Sequence, residues 1–510
     1  MDTAEELLNS MALNHLIAGM TDPGFRLPRK ANVVITGVRM DSRQVQRGDL
    51  FIACFGRNHD AREYIGAAIK AGAAAVVAES GGSWQGLQMV DGVPVLAIDG
   101  LAARISEIAG RFYGEPSERL QVIGITGTNG KTSCSQFIGQ ALTAMGYRCG
   151  VIGTLGYGMY DHLEETSHTT PDAVFTQAAL ARMARENINP VAMEVSSVGL
   201  HQHRVKAVRF DTALFTNLTR DHLDYHESME NYAENKRKLF TMDGLRAAVV
   251  NLDDSYALTM LNSVARNVDV WTYSIRNSVA TVYAKTLQFD RQGYRAEIST
   301  PLGDGTIAGP LIGQFNFSNV LAVTATLLSY LERHGKAELP QILRVVSDLR
   351  PVNGRMEIIG SKGDITAIVD YAHTPDGLRS ALLAVRDHFH GKIWCVFGCG
   401  GNRDKGKRPM MGEIAEQLAD RLVIADDNPR NENGEEIVQH ILSGISDRSR
   451  VAVIRDRAAA IEQAILQAAP GDIVLVAGKG HENYQDVGGQ RMLFSDASQV
   501  RLALQKRGRK

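Results

Sequence analysis

The stretch GITGTNGKTS combines glycine, lysine and threonine in the order of a loop that binds phosphate groups. Gly127 and Gly130 can turn backbone N–H groups toward phosphate oxygens, and the helix predicted to follow offers its positive N-terminus. Lys131 would then contact the β and γ phosphates, and the Thr132 hydroxyl would bind a magnesium ion. These residues predict a site for a nucleoside triphosphate.

The loop departs from the strict Walker A pattern, because Ile125 stands where that pattern requires its first glycine. A GKT triplet alone is equally compatible with an ordinary helix start. Here the apolar run RLQVIGITG predicts a buried strand before the triplet, and KTSCSQFIGQALTAMG has helical spacing after it. This strand–loop–helix context favours phosphate binding.

Acidic and imidazole side chains follow two further predicted strands. AMEVSSVGLHQHR places Glu194 at the end of one strand, and TNLTRDHLDYH places Asp221, His222 and Asp224 after the next. Carboxylates and imidazoles at neighbouring strand ends can share a divalent ion. A cluster of surface ion pairs explains the same residues equally well, so the spacing leaves both interpretations open.

A third set of polar residues lies in the loop ADDNPRNENGEE, at the end of the predicted strand RLVIADD. It brings a carboxylate, an amide and a guanidinium together at Asp427, Asn428 and Arg430. Taken alone, DNPR is more typical of a solvated turn. However, ligands of parallel α/β sheets bind at the carboxyl ends of the strands, and both this loop and the phosphate loop occupy that place.

The composition of the chain limits the number of domains and the classes of ligand that such sites can bind. The chain has 510 residues, 44% hydrophobic and 22% charged, which predicts about three folded domains. Lys and Arg total 55 against 57 Asp and Glu, which disfavours nucleic acid binding. The acidic N-terminal segment MDTAEELLNSMALNHLIAGM is unlike a signal peptide, and no apolar window predicts a spanning helix. Five scattered cysteines argue against a disulfide framework, so we expect a cytoplasmic protein.

The order of the predicted elements indicates an α/β fold with three domains. Short strands around one helix predict a small α/β domain at residues 1–101. Alternating strands and helices predict a mostly parallel sheet covered by helices at residues 102–351. The same alternation restarts at residues 352–510, which predicts a Rossmann-like third domain.

The motif GITGTNGKT resembles the ATP loop of the Mur ligase family, and further motifs follow in the family's order along essentially the whole chain. Mur ligases add amino acids to the growing peptidoglycan peptide and share their fold with folylpolyglutamate synthetase. The resemblance implies a small UDP-sugar-binding domain, a central ATPase-type domain with the phosphate loop, and a C-terminal domain that binds the amino acid.

The resemblance also implies which residues bind ATP and magnesium. The implied ATP contacts are Gly127, Thr128, Asn129, Gly130, Lys131, Thr132, Asn316, Asn319, Arg355, Asp370 and His373. The implied magnesium ligands are Thr132, Glu194, His222 and a Lys236 carbamylated by carbon dioxide. The implied catalytic residues are Lys131, Glu194, His222 and Lys236. Without the family, Lys236 is one of three basic residues on a predicted helix and is expected to be solvated.

A second implied set binds the UDP-sugar peptide. Its members are Ser42, Thr169, Thr170, Ser197, Gln202 and Arg204. Hydroxyl groups and a guanidinium suit diphosphate and carboxylate oxygens. The chain departs from many members of the family at Val198, where they have a histidine, so the role of that histidine is not carried over.

Within the family, DNPR resembles the signature of members that add meso-diaminopimelate rather than L-lysine. The additional carboxylate of diaminopimelate would pair with Arg430, whereas lysine would leave that guanidinium unpaired. The resemblance adds further contacts to the same amino acid, so that the implied set is Arg403, Asp427, Asn428, Arg430, Gly478 and Glu482.

The resemblance therefore implies an ATP-dependent ligase of peptidoglycan precursor synthesis, and so of cell-wall growth, cell shape and division. It would join meso-diaminopimelate to the D-Glu γ-carboxylate of UDP-N-acetylmuramoyl-L-Ala-D-Glu through an acyl phosphate, with magnesium as cofactor and ATP as co-substrate. We expect a monomer that binds neither nucleic acid nor membrane. Alternatives are the same ligase acting on L-lysine, a folylpolyglutamate synthetase, which the UDP-side motifs disfavour, and an ATPase switch that is not a ligase.

Overall fold

A computed structural model describes residues 10–56, 59–166, 168–360 and 364–508. The first nine residues of the N-terminal segment considered above lie outside these ranges. The chain forms two compact units, each assembled from separate stretches. The first unit comprises Met1–Gly124, Gly146–Ala213 and Lys238–Arg246, and the second comprises Ile125–Met145, Leu214–Arg237 and Ala247–Lys510.

The N-terminal part of the first unit is a five-stranded sheet with helices. Its elements are β1 (Met11–Ala12), α1 (Leu13–Leu16), β2 (Val34–Ile35), β3 (Gly37–Arg39), β4 (Asp49–Ala53), α2 (Ile65–Ala71), β5 (Ala75–Glu79), β6 (Leu87–Val90), β7 (Val93–Ile98) and α3 (Ile105–Phe112). The strand order is β3-β4-β5-β7-β6, with only β6 antiparallel to its neighbour. Leu50 and Ile52 enter one core and Phe51 and Ala53 another, because successive strand residues point to opposite faces.

The next stretch contributes elements to both units. They are β8 (Val122–Thr126), α4 (Lys131–Ala144), β9 (Gly150–Gly153), β10 (Gly156–Met159), β11 (His162–Glu164), α5 (Ala173–Arg185), β12 (Val191–Glu194), α6 (Ser197–His201), β13 (Phe210–Phe215), α7 (Leu223–His226) and α8 (Met229–Arg237). Strands β8 and β13 begin in the first unit and end in the second. In the first unit, β9 is parallel to β12 and antiparallel to β10, which is antiparallel to β11.

The second unit continues with strands that change from parallel to antiparallel pairing. Its elements here are β14 (Ala247–Asn251), α9 (Ala257–Leu261), β15 (Asp269–Ser274), β16 (Val282–Asp290), β17 (Gly293–Thr300), β18 (Gly303–Gly309), α10 (Gln314–Arg333) and α11 (Leu339–Ser347). Strands β14, β15 and β16 are parallel, whereas β16, β17 and β18 form an antiparallel meander. This antiparallel meander differs from the mostly parallel sheet that the sequence predicts.

The C-terminal part of the second unit is a six-stranded sheet. Its elements are β19 (Glu357–Ile358), β20 (Thr366–Asp370), α12 (Pro375–His388), β21 (Ile393–Phe397), α13 (Lys407–Leu418), β22 (Arg421–Ile424), α14 (Gly434–Leu442), β23 (Val451–Val453), α15 (Arg457–Gln467), β24 (Ile473–Ala477), β25 (Tyr484–Val487), β26 (Gln490–Leu493) and α16 (Asp496–Arg507). The order is β19-β20-β24-β21-β22-β23, parallel except for β19, while β25 and β26 form a separate hairpin.

Two apolar cores cover the two faces of this sheet. One contains residues from α12, α13 and α14, and the other contains residues from α15 and α16. A parallel sheet buried on both faces confirms the predicted Rossmann-like α/β architecture. In the part of the chain that the structure describes, no helix is both long enough and apolar enough to cross a membrane.

Candidate active site

The phosphate loop connects β8 to α4 and is shaped by its two glycines. Gly127 has φ 154° and Gly130 has φ 87°, values that favour glycine. A side chain at Gly127 would collide with Thr216 Oγ1, and a Cβ at Gly130 would lie 2.6 Å from Asn319 Oδ1. The loop therefore combines a special backbone conformation with close packing, as the sequence predicts for a phosphate-binding turn.

Backbone groups of this loop are held by residues that follow β13. The Thr128 N–H donates to the Asn217 carbonyl at 2.8 Å, and the Asn129 N–H donates to Asn217 Oδ1 at 2.9 Å. The Thr216 hydroxyl donates to the Asn129 carbonyl at 2.6 Å. Because two loop N–H groups have protein acceptors, the first turn of α4 is the part of this motif best suited to bind phosphate.

Two lysines converge on one carbonyl oxygen of the loop. Lys236 Nζ donates to the Gly127 carbonyl at 2.7 Å, and Lys131 Nζ donates to the same oxygen and to the Thr128 carbonyl, both at 2.9 Å. Burial lowers the pKa of Lys236 well below its ordinary value, and the charge of Lys131 lowers it further. The expectation that Lys236 is solvated is wrong, because α8 turns Lys236 inward on the same face as Tyr232, four residues earlier.

Tyr232 connects the phosphate loop to Lys236. Thr128 Oγ1 lies 3.1 Å from the Tyr232 hydroxyl, 3.1 Å from the Thr219 carbonyl and 3.0 Å from the Thr219 nitrogen. Thr128 has one proton and donates it to the carbonyl, so the Tyr232 hydroxyl is the donor to Thr128. Burial raises the pKa of Tyr232, which preserves this donor. The Tyr232 ring centroid lies 4.5 Å from Lys236 Nζ and 5.1 Å from the stacked ring of His226.

A carboxylate with two imidazoles lies in the same unit. Asp221 Oδ2 is 3.4 Å from His222 Nε2 and 4.0 Å from His373 Nε2. Burial alone would raise the pKa of Asp221, but His222, His373 and Lys407 outweigh it and hold that pKa below its ordinary value. Burial lowers the pKa of His222 and lowers the pKa of His373 to about 4. Both shifts favour the neutral imidazole, the form that binds a metal.

The structure brings Arg355 to the phosphate loop. Arg355 Nη2 donates to Thr132 Oγ1 at 3.4 Å, and its guanidinium carbon lies 4.2 Å from the Tyr371 ring centroid. Asp370 accepts the N–H groups of Met356 and Ala372, each at 2.8 Å. Asp370 therefore fixes the backbone of the segment that carries Arg355. The contact of Asp370 to ribose remains a prediction.

Two buried asparagines begin α10. Asn319 lies against Gly130 of the phosphate loop and is 3.5 Å from Cys134 Sγ. Asn316 Nδ2 donates to the Ile312 carbonyl at 2.9 Å, whereas its buried Oδ1 has no hydrogen-bond partner among the described residues. A buried amide oxygen without a partner is uncommon, and an amino group such as that of adenine would satisfy it.

The first unit contains Glu194 and all six residues implied for the UDP-sugar peptide. The fully buried Glu194 accepts the N–H of Thr154 at 2.9 Å and its hydroxyl at 3.0 Å. The Thr170 hydroxyl donates to the Glu194 carbonyl at 2.9 Å, and Arg204 donates to the Thr170 carbonyl at 2.6 Å. Gln202 Oε1 accepts two N–H groups of Arg204. These predicted residues form one connected network.

The other predicted residues of the first unit have varied surroundings. Thr169 Oγ1 lies 3.0 Å from Thr154 Oγ1, and Ser197 is the buried first residue of α6. Ser42 begins a 3-10 turn capped by Asp41. In the described ranges, no group of three or more His, Cys, Asp or Glu is arranged to hold a metal ion.

The DNPR loop is held by hydrogen bonds of its own side chains. The Asn428 amide donates to Glu482 Oε2 at 2.8 Å, and Asn428 Oδ1 accepts Lys479 Nζ and the Asp486 N–H, each at 2.9 Å. A Cβ at Gly478 would lie 2.5 Å from Asp427 Oδ2. Asp427 and Asn428 are buried, so the interpretation of DNPR as a solvated turn is wrong.

Two arginines accompany this loop. Arg430 has φ 52°; its Nη1 donates to the Gly401 carbonyl at 2.7 Å, and its backbone N–H donates to the Asp486 carbonyl at 2.9 Å. The exposed Arg403 donates to the Asn402 carbonyl at 3.0 Å. The loop therefore presents cationic side chains beside the buried carboxylate of Asp427, a mixture suited to a ligand with both charges.

Comparisons with known proteins agree with this geometry. Three family models match in succession: the Mur ligase family catalytic domain at residues 34–113, the Mur ligase middle domain at 125–327 and the Mur ligase glutamate ligase domain at 354–480. A UDP-N-acetylmuramoyl-L-alanyl-D-glutamate–2,6-diaminopimelate ligase of Coxiella burnetii is 47% identical over 480 residues, 93% of this chain and 96% of its own. The chain belongs to the Mur ligase family. The Pseudomonas aeruginosa protein of the same name is 47% identical over 473 residues, with 93% and 96% covered.

Solved Mur ligase structures show the same architecture. One UDP-N-acetylmuramoyl-L-alanyl-D-glutamate–2,6-diaminopimelate ligase has 34% identity, a TM-score of 0.68 and coverage of 98% of this chain and 99% of its own. MurF from Acinetobacter baumannii, at 17% identity and a TM-score of 0.64, covers 95% of each chain and supports the fold alone. The three-domain α/β architecture predicted from the sequence is confirmed, and the chain is an enzyme of the ligase class.

Several residues that contact the predicted site residues of this Mur ligase were not predicted from the sequence. Tyr232 and Lys479 were not identified, although each contacts two residues of the predicted sites. Gln485 was also missed; its Nε2 donates to the carbonyls of Asp426 and Asp427. Lys479 lies inside the AGKGHENY motif, so that motif was the available signal, whereas Gln485 becomes visible only through the hairpin.

Proposed function

We propose that this Mur ligase joins meso-diaminopimelate to the D-glutamate γ-carboxylate of UDP-N-acetylmuramoyl-L-alanyl-D-glutamate, using ATP. The observation that carries the proposal is that one compact unit holds a phosphate loop with Lys131 and Arg355 and a loop with Asp427 and Arg430. Relatives at 47% identity are named for this reaction, which supports the same substrate pair.

The first step would transfer the γ-phosphoryl group of ATP to the substrate carboxylate. The carboxylate oxygen attacks the γ-phosphorus, the bond to the β-phosphate oxygen breaks, and an acyl phosphate and ADP result. Lys131 exchanges its carbonyl acceptors for phosphate oxygens, and Arg355 adds a second cation next to Thr132. Both cations stabilise the charge that develops on the phosphoryl oxygens.

The second step would form the amide bond. The neutral amine of diaminopimelate attacks the acyl carbon, and inorganic phosphate leaves with the electron pair of the broken C–O bond. The attacking nitrogen loses one proton, which the departing phosphate or water accepts. Arg430 pairs with the carboxylate at the far end of the amino acid, while Asp427 and Glu482 accept its ammonium group. Lysine lacks that carboxylate and would leave Arg430 unpaired, which disfavours it strongly.

Residues of the second unit fit a magnesium ion. Thr132 offers a hydroxyl and His222 an imidazole whose pKa is lowered by burial. The lowered pKa of the buried Lys236 eases loss of its proton, and the neutral amine could add carbon dioxide to form an anionic carbamate. Magnesium is usually held by few protein groups together with phosphates and water, in accord with this sparse set. When bound, the ion would neutralise charge on the transferring phosphates. Glu194, in the first unit, is a further ligand proposed from the family resemblance.

The remaining assignments are part of the same proposal. Domain boundaries are placed at residues 1–101, 102–351 and 352–510. Ser42, Thr169, Thr170, Ser197, Gln202 and Arg204 would bind the UDP-sugar peptide, and the implied nucleotide contacts would bind ATP. The network around Thr170 and Arg204 supports the first set. We further propose that the enzyme acts as a monomer in the cytoplasm, where nucleotide-linked precursors are made.

Phosphate release tests this function. Native protein receives ATP, magnesium and UDP-N-acetylmuramoyl-L-Ala-D-Glu with either meso-diaminopimelate or L-lysine, beside Arg430→Ala and a matched Arg421→Ala control. Arg421 is exposed at the opposite end of β22 from the DNPR loop. We expect release with diaminopimelate only, lost by at least about 100-fold in Arg430→Ala and kept in the control.

Two other results would change the proposal. Equal release with lysine would keep the ligase but remove Arg430 as the selector. Release of phosphate from ATP alone, unaffected by the sugar peptide and the amino acid, would replace the ligase by an ATPase switch.

A further inference from the structure

Lys479 is a fully buried cation beneath the DNPR loop. Its side chain is 0% exposed, and its Nζ donates to Asn428 Oδ1 and to Glu482 Oε2, each at 2.9 Å. Its Nζ also lies 5.4 Å from the Tyr484 ring centroid. A lysine is rarely buried completely unless its charge is paired, so these contacts account for its position.

Lys479 determines which way the Asn428 amide faces. Asn428 Oδ1 accepts hydrogen bonds from Lys479 and from the Asp486 N–H, while Asn428 Nδ2 donates to Glu482 Oε2. A flipped amide would place its NH₂ group against the ammonium and the N–H, which are both donors, and its oxygen against a carboxylate. The charge of Lys479 therefore makes one of the two orientations strongly preferred.

Lys479 also determines which oxygen of Glu482 remains for a ligand. Glu482 Oε2 accepts both Lys479 Nζ and Asn428 Nδ2. Throughout the described part of the chain, no hydrogen bond reaches Glu482 Oε1, although the side chain is only 15% exposed. The three side chains thus form a closed triangle in which one carboxylate oxygen is satisfied and the other can accept a substrate ammonium.

We propose that Lys479 is a positioning residue for the amino-acid substrate, because it fixes the Asn428 amide and leaves Glu482 Oε1 to accept the ammonium group. This inference rests on the proposed function. Lys479 acts through Asn428 and Glu482 rather than by touching the reacting atoms. By offsetting the charge of Glu482, it also leaves the site with fewer unpaired negative charges, so the loop can accept a ligand that itself carries a carboxylate.

A double-mutant cycle tests this role in the full-length enzyme. We would measure phosphate release and the KM for meso-diaminopimelate and for ATP in native protein, Lys479→Met, Glu482→Gln and the double variant. Lys506→Met is the matched control, because Lys506 makes an exposed ion pair with Glu462. Thermal unfolding of each variant shows whether it is folded during the assay.

We expect Lys479→Met to raise the KM for diaminopimelate at least about tenfold and to change the KM for ATP less than about twofold. In the Glu482→Gln background, the same substitution should change the KM for diaminopimelate less than about threefold, because its main partner has lost its charge. If Lys479→Met unfolds, Lys479→Gln takes its place in the cycle, because it removes the charge but keeps a hydrogen-bonding side chain.

Three results would overturn the inference: an unchanged KM for diaminopimelate in Lys479→Met, an equal rise in both KM values, or effects that multiply independently in the cycle. Failure of the proposed function is distinguishable, because native protein would then release no phosphate in response to diaminopimelate.

Discussion

The phosphate loop follows β8 and the DNPR loop follows β22, but the two loops are shaped in different ways. Gly127 and Gly130 shape the phosphate loop through the backbone, and its two lysines contact backbone carbonyls. Asn428 shapes the DNPR loop through side-chain bonds to Lys479 and Glu482. A site built from backbone suits a ligand used by many enzymes, whereas a site built from interlocked side chains suits recognition of one substrate.

We expect the largest loss of activity from a substitution that changes the backbone of the phosphate loop. Gly127→Ala would place a Cβ against Thr216 Oγ1 at a φ that disfavours alanine, so we expect phosphate release to fall at least about 100-fold. Gly146→Ala is the control, because Gly146 has φ 87° but no atom within 4 Å of the added Cβ. It should lose only about 1 kcal/mol of stability and keep its activity. An active Gly127→Ala enzyme would show that the collision is relieved without loss of the site.

Gly478 offers the corresponding glycine-to-alanine substitution beside the DNPR loop. Gly478→Ala would place a Cβ 2.5 Å from Asp427 Oδ2 at φ 123°. The Thr216 hydroxyl that meets Gly127 is fixed by its bond to the Asn129 carbonyl, whereas Asp427 Oδ2 lies farther from the added Cβ and can rotate away. We therefore expect a smaller effect, about 10-fold to 30-fold on the KM for diaminopimelate. The KM for ATP should stay within about twofold. Steady-state kinetics with each substrate varied separately measures both values, and equal changes would remove the distinction between the loops.

The third prediction concerns the buried charge of the phosphate site. The pKa of Lys236 is lowered in the folded chain, so between that pKa and the unfolded value of about 10.4 only the unfolded chain binds the proton. The free energy of unfolding should therefore rise with pH in this window, by up to about 1.4 kcal/mol per pH unit, relative to Lys236→Met. Below the pKa of Lys236 in the folded chain, the difference in free energy of unfolding between the two proteins does not change with pH. Urea unfolding in buffers purged of carbon dioxide measures it, and parallel pH curves for the two proteins would contradict it.

We expect the smallest change in activity when one hydroxyl is removed from the phosphate site. Tyr232→Phe keeps the ring near Lys236 but loses the donor to Thr128, so the KM for ATP should rise about threefold to tenfold. Tyr273→Phe is a matched control, because the buried Tyr273 hydroxyl donates to the Phe215 carbonyl at 3.2 Å instead. ATP titration of both variants tests the prediction, and equal shifts would assign the effect to the loss of any buried hydroxyl.

Much of the fold was predictable because buried parallel strands are continuous apolar runs. Strands β8, β13, β21 and β24 coincide with such runs, and the phosphate loop follows β8 as expected. The meander β16–β18 escaped detection because β17 alternates buried residues with exposed ones such as Arg295 and Glu297, and glycine and polar residues dominate β18. The hairpin β25–β26 escaped because its residues are mostly exposed and bear no apolar pattern.

The sites were predictable as motifs but not as networks. The charges near Lys236 on its helix suggested a solvated face, and only the packing of Tyr232 shows that Lys236 turns inward. Likewise, DNPR has the composition of a turn, and its burial depends on Lys479 and Gln485, which are more than 50 residues away in sequence. Such contacts depend on tertiary pairing, which the spacing of residues in a single chain does not encode.

The shared carbonyl of Gly127 has a consequence for the order of events in the enzyme. Lys131 and Lys236 donate to one oxygen, so each ammonium charge disfavours the other. When a nucleotide draws Lys131 toward its phosphates, the repulsion ends and negative charge arrives, so Lys236 gains affinity for protons. If Lys236 reacts through its neutral amine as proposed, we expect that reaction to be easiest before the nucleotide binds.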